Sequence, residues 1–430
     1  MRILRAAGLS LLVAGPLAAQ DFTSLKGHGG PIMAIAVAAD GRVATGSFDN
    51  SVGLWQGRDP LWLEGHAAAV TALTVTPSGE VISAGDDFAI RRWGTGAAAE
   101  IGRHAGKIRG LAVSPDGTWL ASGSWDGTLH LWSLGPGTAR ALPDPGAGVN
   151  DVAFSSDGTA LIAATMDGRL LRYDLAETGG TPDPLVRHGF GVNAISRGDG
   201  WIAYGAVDGG TRVIDAGTGA EIADFTLDRR PVLAMAHHAG TGQLAVGDGQ
   251  GYIMIVDTES WQIARDYRAT TEGPVWALAF SPDGSMLYAG GLDDVAYGWP
   301  VALLDTFDAT MGQKRSFLRD ADTMDNGERQ FMRKCSICHA LTDGPSRKAG
   351  PTLHGLFGRR AGTLPGYSYS PALGGADITW GPETIDALFD LGPDHYIPGS
   401  KMPMQVISAA SDRADLVAFL RDATAKETSE

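Results

Sequence analysis

The chain has 430 residues, which is long for a single hydrophobic core, so its length predicts two domains. Its formal net charge of -15 disfavours nucleic acid as a partner, because phosphate groups repel an acidic surface. Gly is abundant at 60 residues, which indicates many tight turns.

Residues 1–20 have the pattern of a secretory signal peptide. Arg2 and Arg5 precede an apolar run from Ala6 to Ala19, and small residues at its end predict cleavage close to Gln20. The run is short for a membrane span, and no later stretch is long enough to cross a bilayer. We therefore expect an exported protein without a membrane span after cleavage, which is periplasmic if the source is a Gram-negative bacterium.

Residues 21–305 repeat one pattern of strands and turns. Each copy has an alternating apolar strand, a turn with Asp-Gly or Ser-Gly, and further strands, as antiparallel hairpins require. A period of about 40 residues without helical spacing is typical of propeller blades. The copies end at Trp55, Trp93, Trp132, Tyr173, Ile214, Val256 and Trp299. These seven ends predict an all-β, seven-bladed propeller.

The copies resemble WD40 repeats. The family's Gly-His position is held by Gly27-His28, Gly65-His66, His104 and His188. Its turn aspartate corresponds to Asp49, Asp87, Asp126, Asp167, Asp208, Asp248 and Asp293. The closing Trp-Asp pair is degraded, since the first three copies keep only Trp and the next three only Asp. The resemblance implies a rigid platform for a protein partner.

Two further expectations concern the propeller. Residues 22–25 precede the first copy in the place of an outermost strand, so we expect them to complete the last blade and remove an exposed edge. The four His residues of the Gly-His positions are expected to form hydrogen bonds within their own blades. His237 and His238 are expected at a strand end, facing solvent.

The alternation ends near Asp305, and helical spacing replaces it. Residues 306–320 are predicted to be a linker, residues 321–425 an all-α domain and residues 426–430 a tail. Asn326 to Cys335 reads as one helix, and Asp412 to Ala425 carries apolar residues on one face as a second.

The segment Cys335-Ser336-Ile337-Cys338-His339 contains the only two cysteines of the chain. Thiols three residues apart lie on one edge of a helical turn, where each can form a thioether with a haem vinyl group. The following His can bind the iron, so this spacing is the attachment signature of haem c. A disulfide pair is another interpretation, whereas a zinc site needs further ligands of matching spacing.

The sixth iron position needs a second ligand, and Met402 is the leading candidate. A thioether is a soft ligand that favours ferrous iron and raises the reduction potential. Met404 is a competitor two residues further on, and either Met could instead pack in a core.

From residue 321 to about 425 the chain resembles class I cytochromes c. Residues 350–359 resemble the loop beneath the proximal His, which implies that the Pro351 carbonyl accepts the second ring N–H of His339. The resemblance also favours Met402 over Met404 and implies that helices cross at Gly327, Phe331, Leu416 and Phe419. One cofactor, a covalently attached haem c, is expected.

The same resemblance implies residues around the haem propionates. Tyr367, Tyr369 and Trp380 would enclose them, with Arg359 near their charge. Two departures concern the mitochondrial pattern: one added residue between Trp380 and Tyr396, and apolar residues at 388 and 389 in place of a Tyr near the Met sulfur.

With His339 and Met402 both bound, the iron has no open position, so we interpret the protein as a single-electron carrier rather than a catalyst. The expected partner is a periplasmic redox protein or enzyme, docked by the propeller. Basic side chains flanking the haem edge could steer an acidic partner: Lys334, Arg347, Lys348 and Lys401. Two alternatives remain open. One is a haem-dependent oxidoreductase whose propeller holds a second cofactor or substrate, and the other is a scaffold protein with a redox-sensing haem.

Overall fold

The computed structural model describes residues 22–94, 98–176, 180–229, 231–270, 273–306, 323–344 and 346–425. The predicted signal peptide, the predicted tail and all but the first residue of the predicted linker lie outside these residues. No helix in these ranges is both long enough and apolar enough to span a membrane.

Seven four-stranded antiparallel sheets follow one another along the chain. The first strand is β1 Thr23–Lys26. Blade 1 consists of β2 Ile32–Val37, β3 Val43–Ser47, β4 Ser51–Gln56 and β5 Asp59–Glu64, and blade 2 of β6 Val70–Val75, β7 Val81–Gly85, β8 Ala89–Trp93 and β9 Ala99–Arg103. Blade 3 consists of β10 Ile108–Val113, β11 Trp119–Ser124, β12 Leu129–Ser133 and β13 Arg140–Ala141, and blade 4 of β14 Val149–Phe154, β15 Ala160–Thr165, β16 Arg169–Asp174 and β17 Asp183–Arg187. Blade 5 consists of β18 Val192–Arg197, β19 Trp201–Ala206, β20 Thr211–Asp215 and β21 Glu221–Asp224, and blade 6 of β22 Val232–His238, β23 Gln243–Asp248, β24 Tyr252–Asp257 and β25 Gln262–Arg268. Blade 7 contains β26 Val275–Phe280, β27 Met286–Gly291 and β28 Val295–Pro300. The predicted seven-bladed propeller is confirmed.

The ring closes through the first strand. β1 pairs antiparallel with β28, with Thr23 opposite Gly298 and Leu25 opposite Ala296. The innermost strands of neighbouring blades contact each other, and β26 also contacts β2. The expectation that residues 22–25 complete the last blade is therefore confirmed, and β28 is not left as an exposed edge.

The His residues of the repeats form hydrogen bonds within their blades, as expected. His28 bonds Asp49 at 2.9 Å through Nδ1 and Thr45 at 2.7 Å through Nε2, and Trp55 donates to the same Thr45 hydroxyl. Blade 2 repeats this network with His66, Asp87, Ser83 and Trp93. Each network satisfies buried polar groups and ties the two central strands of a blade to the segment that precedes the blade.

The expected solvent exposure of His237 and His238 is wrong. Both lie at the end of β22, but both are half-buried. His237 donates from Nδ1 to the Arg197 carbonyl at 3.0 Å, and His238 donates from Nε2 to the Pro282 carbonyl at 3.0 Å. Each ring thus bridges to a neighbouring blade, because adjacent blades pack closely at this end of the strands.

The C-terminal domain, described over residues 323–344 and 346–425, is helical. Its helices are α1 Asn326–Lys334, α2 Pro371–Gly374, α3 Pro382–Leu391, α4 Pro393–Tyr396 and α5 Ala410–Ala423. The predicted crossing of α1 and α5 is confirmed, because Phe331 and Phe419 have ring centroids 5.6 Å apart. A Cβ on Gly327 would lie 2.2 Å from the Asp415 carbonyl oxygen, so only glycine allows this approach.

Candidate functional site

The two thiols and His339 lie on the turn that follows α1. The backbone N–H of Cys335 donates to the Phe331 carbonyl at 2.8 Å, and the N–H of His339 donates to the Cys335 carbonyl at 2.9 Å. The helical path thus continues through the motif, and both Cys residues and His339 line the same cavity.

A backbone hydrogen bond holds the ring of His339 in one orientation. Its Nδ1–H donates to the Pro351 carbonyl at 2.8 Å, which leaves Nε2 as the nitrogen able to bind a metal. Burial lowers the pKa of His339, which favours the neutral ring that a metal ligand requires. A Cβ on Gly350 would lie 2.4 Å from the ring carbon Cε1, so the loop can support the imidazole only with glycine there.

The two thiols are not activated as thiolates. Burial raises the pKa of Cys335 to about 12 and that of Cys338 to about 11. Reactive redox cysteines instead have a lowered pKa, produced by nearby positive charge or a helix N-terminus. This environment therefore disfavours a disulfide-exchange site and agrees with sulfurs that form thioethers.

Met402 also lines the cavity. Its backbone N–H donates to the Ser400 hydroxyl at 3.1 Å, and its side chain is half-buried among the apolar residues of the domain. Met404 does not line the cavity; it is 46% exposed and packs against Gly392. The two methionines considered as ligands thus occupy different environments.

The remaining predicted site residues, Arg359, Tyr367, Tyr369 and Trp380, also line the cavity. Tyr367 donates its hydroxyl to the Ala349 carbonyl at 2.6 Å, and burial raises its pKa to about 12. Arg359 donates to the carbonyls of Thr352 and His354, so its guanidinium braces the loop that supports His339. This bracing role was not predicted from the sequence.

The cavity measures about 390 Å³ and fits a haem. Its lining combines two thiols, an imidazole and a thioether with apolar side chains such as Leu353, Ile385 and Phe389. The Oε1 atom of Gln405, also in the lining, is buried and has no hydrogen-bond partner among the residues that the structure describes. Haem c is a large planar apolar group with a polar edge, and this lining matches it.

Sequence reasoning missed the propeller side of this cavity. Residues of blades 1 to 3 line it together with the C-terminal domain: Phe48, Asn50, Ala67, Ala68, Ala69, Asp86, Phe88 and Lys107. Lys348 donates from Nζ to the Ser336 carbonyl at 2.6 Å, a contact within the haem-attachment motif that the sequence did not predict. Contacts between residues so distant in sequence leave no local pattern to read.

Comparison with known proteins agrees with both domains. The WD40 family (WD domain, G-beta repeat) matches residues 20–56, 60–94, 98–133, 139–174 and 261–299, and the Cytochrome c family matches residues 324–424. The chain is 48% identical to cytochrome c of Sesamum indicum over 101 residues, which covers 23% of this chain and 89% of the relative. It is 44% identical to cytochrome c of Ginkgo biloba over 101 residues, covering 24% and 88%. Cytochrome c of Chlamydomonas reinhardtii is 43% identical over 105 residues, covering 24% and 93%.

Proposed function

This chain belongs to the cytochrome c family through its C-terminal domain, which is fused to a WD40 propeller, and we propose that it carries single electrons in the periplasm to or from a redox enzyme docked on the propeller. Haem c, attached through the two cysteines, supplies an iron that gains or loses one electron. The protein contributes attachment, axial ligands and exclusion of water.

The observation that carries the electron-carrier proposal is one cavity that is lined by both thiols, His339 and Met402. We assign the domain to class I, in which His339 and Met402 would both bind the haem iron. With both bound, the metal would have no position for a substrate, whereas rapid electron exchange needs only a haem edge near a partner. The hydrogen bond from His339 Nδ1 to Pro351 keeps that proton away from the metal-facing nitrogen.

The ligand assignment is tested with Met402→Ala and, as a matched control, Met404→Ala. We expect ferric wild-type protein and Met404→Ala to show the weak red absorption band of a thioether-bound haem and to resist cyanide. Met402→Ala should lose the band and bind cyanide readily, because its sixth position is open. Loss of the band in Met404→Ala, or rapid cyanide binding by the wild type at rest, would contradict the assignment.

Support for a docking role comes from one position that recurs in the blades. In every blade except blade 6, the residue before the turn aspartate directly follows the second strand. In blades 3 to 5 these residues are apolar and exposed: Trp125 at 43%, Met166 at 50% and Val207 at 46%. Phe190, exposed at 57%, lies next to Gly168 at the same end. We name these four residues the apolar arc, a surface typical of protein interaction.

The apolar arc is tested with Met166→Glu. Electron exchange between the purified haem protein and periplasmic extract should slow several-fold, because a buried charge opposes docking. Oxidation by hexacyanoferrate(III) should stay unchanged, since this reagent needs no protein surface. Ile263→Glu, at an exposed apolar site on the outer strand β25, is the control and should behave as the wild type. Equal slowing by both variants would argue against the arc.

Export rests on residues 1–20, which lie outside the described structure. The mass of the mature protein recovered from a periplasmic fraction tests it, with cleavage expected close to Gln20. An intact N-terminus on the haem-bearing protein would contradict export by this signal.

A further inference from the structure

The haem cavity is shared between the C-terminal domain and the propeller. Cys338, Lys334 and Lys401 of the C-terminal domain line it together with residues of the propeller. We name the propeller residues Phe48, Ala67, Ala68, Ala69, Asp86 and Phe88 the docking face. Phe48 and Asp86 occupy, in blades 1 and 2, the position that the apolar arc occupies in blades 3 to 5. The docking face and the apolar arc are thus neighbouring parts of one surface.

Arg347 anchors the two domains. Its guanidinium carbon lies 3.9 Å from the centroid of the Trp62 ring, and its Nη1 donates to Glu64 Oε1 at 2.9 Å. Stacking and an ion pair on the same planar group fix its direction more firmly than either contact alone. Trp62 and Glu64 both belong to β5, the outer strand of blade 1, so the anchor holds the domain beside the docking face.

Gly29 brings the two backbones into direct contact. A Cβ at this position would lie 2.2 Å from the carbonyl carbon of Arg347 and 2.4 Å from its oxygen. Gly29 does not have a positive φ, so its own blade does not require glycine. Its N–H donates to Asp49 at 2.7 Å, a bond that alanine would keep. The missing side chain is therefore explained by the approach of the C-terminal domain.

Charge favours the same arrangement. From Gly312 onward Lys and Arg number 14 against 15 Asp and Glu, which leaves most of the net charge of -15 on the propeller. The lining of the cavity on the C-terminal domain is basic through Lys334 and Lys401. Asp86 of the docking face is paired with Lys107 at 2.6 Å, so the electrostatic attraction comes from the acidity of the propeller as a whole rather than from the docking face itself.

We infer that the docking face is an intramolecular binding surface for the haem edge, and that the docked arrangement restricts the access of external redox partners to the haem. The inference rests on the haem c of the C-terminal domain but not on the identity of any electron donor or acceptor. Tethering makes the docking intramolecular, so weak contacts suffice to keep it populated. An external partner held on the neighbouring apolar arc exchanges electrons when the C-terminal domain leaves the docking face.

The test uses Gly29→Ala in the full chain, with Gly135→Ala as the control. Neither substitution changes charge, and a Cβ on Gly135 would meet no atom within 4 Å. The ferrous protein is mixed with hexacyanoferrate(III), which is reduced to hexacyanoferrate(II) as the haem iron becomes ferric. If only the undocked state reacts, a population of about 10% undocked in the wild type predicts a rate increase approaching tenfold for Gly29→Ala. Gly135→Ala should match the wild type.

Amide hydrogen exchange gives a second readout that does not depend on redox activity. Exchange at residues 64–69 and 346–349 should accelerate in Gly29→Ala and in Arg347→Glu. Combining Arg347→Glu with Glu64→Arg should restore part of the protection, because the ion pair is re-formed with reversed charges. Unchanged absorption spectra show that the haem site is intact in each variant. Wild-type exchange and a wild-type oxidation rate in Gly29→Ala would overturn the inference.

Discussion

The interiors of the propeller and of the C-terminal domain are completed by different means. Between blades 2 and 3, buried side chains such as Ile82, Ile90 and Leu120 pack directly on one another. In the C-terminal domain, the buried residues Leu388 and Phe389 border a cavity of about 390 Å³ instead. The propeller therefore has a core made of protein alone, whereas the C-terminal domain requires its cofactor to fill the core.

Polar groups of the propeller form local networks. In blade 1 the buried carboxylate of Asp49 receives hydrogen bonds from His28, Gly29 and Ser51. The comparison teaches that the stability of the propeller is distributed over many local networks, while that of the C-terminal domain depends on one group.

Removing both thiols should break this comparison most strongly. In Cys335→Ser/Cys338→Ser the haem is no longer covalently held, and apolar residues such as Leu388 and Phe389 lose the group against which they would pack. A typical domain is stable by only about 5–15 kcal/mol, so this loss is a large fraction of the total. We expect calorimetry to show loss of the transition of the C-terminal domain, while the propeller transition stays unchanged.

Ile337→Val is the control for the thiol variant, because it alters the same turn without changing either thiol. It should keep the haem and both transitions, with a cost of about 1 kcal/mol. If the thiol variant retained a cooperative transition of the C-terminal domain, or lost that of the propeller as well, the proposed division between the domains would be wrong.

The propeller was predictable from the sequence because its signals are local and repeated. Turn residues, alternating strands and the ends at Trp55, Trp93 and Trp132 fall at a regular period, so each copy supports the others. The closing strand β1 was also predictable, since the last copy lacked an outermost strand. Two of its seven blades end in Ile214 and Val256 instead of an aromatic residue, and the period together with the following Asp identified them.

The cavity was predictable only on the side of the C-terminal domain. The Cys-x-x-Cys-His spacing is short and specific, so it identified three residues of the wall directly. The docking face was missed because Phe48 and Asp86 come together with Lys401 only through the tertiary structure. One signal was present: Gly29 follows Gly27-His28 without any turn in its own blade that requires a second glycine.

A smaller effect is expected from Asp49→Ala, which tests whether local hydrogen-bond networks stabilise the propeller. Burial alone would raise the pKa of Asp49, but the hydrogen bond and charge of His28, with hydrogen bonds from Ser51 and Gly29, lower it below its ordinary value. Removing this carboxylate leaves His28 buried without its partner, at a cost of about 3 kcal/mol. The propeller transition should shift accordingly in denaturant unfolding, and the haem spectrum should not change.

The pH dependence of the free energy of unfolding distinguishes the loss of the Asp49 charge from a general loss of packing. Because the pKa of Asp49 is lower in the folded state, its contribution is fully present above the unfolded pKa of about 3.9 and disappears as the pH falls through the folded value. The difference between wild type and Asp49→Ala should therefore be constant near neutral pH and shrink below about pH 4. Asp59→Ala, at an exposed site on β5, is the control and should stay within about 0.5 kcal/mol of the wild type. A difference that did not shrink in acid would mean that Asp49 stabilises the propeller through packing rather than through its charge. The hydrogen-bond networks would then not explain why the propeller is stable without the cofactor.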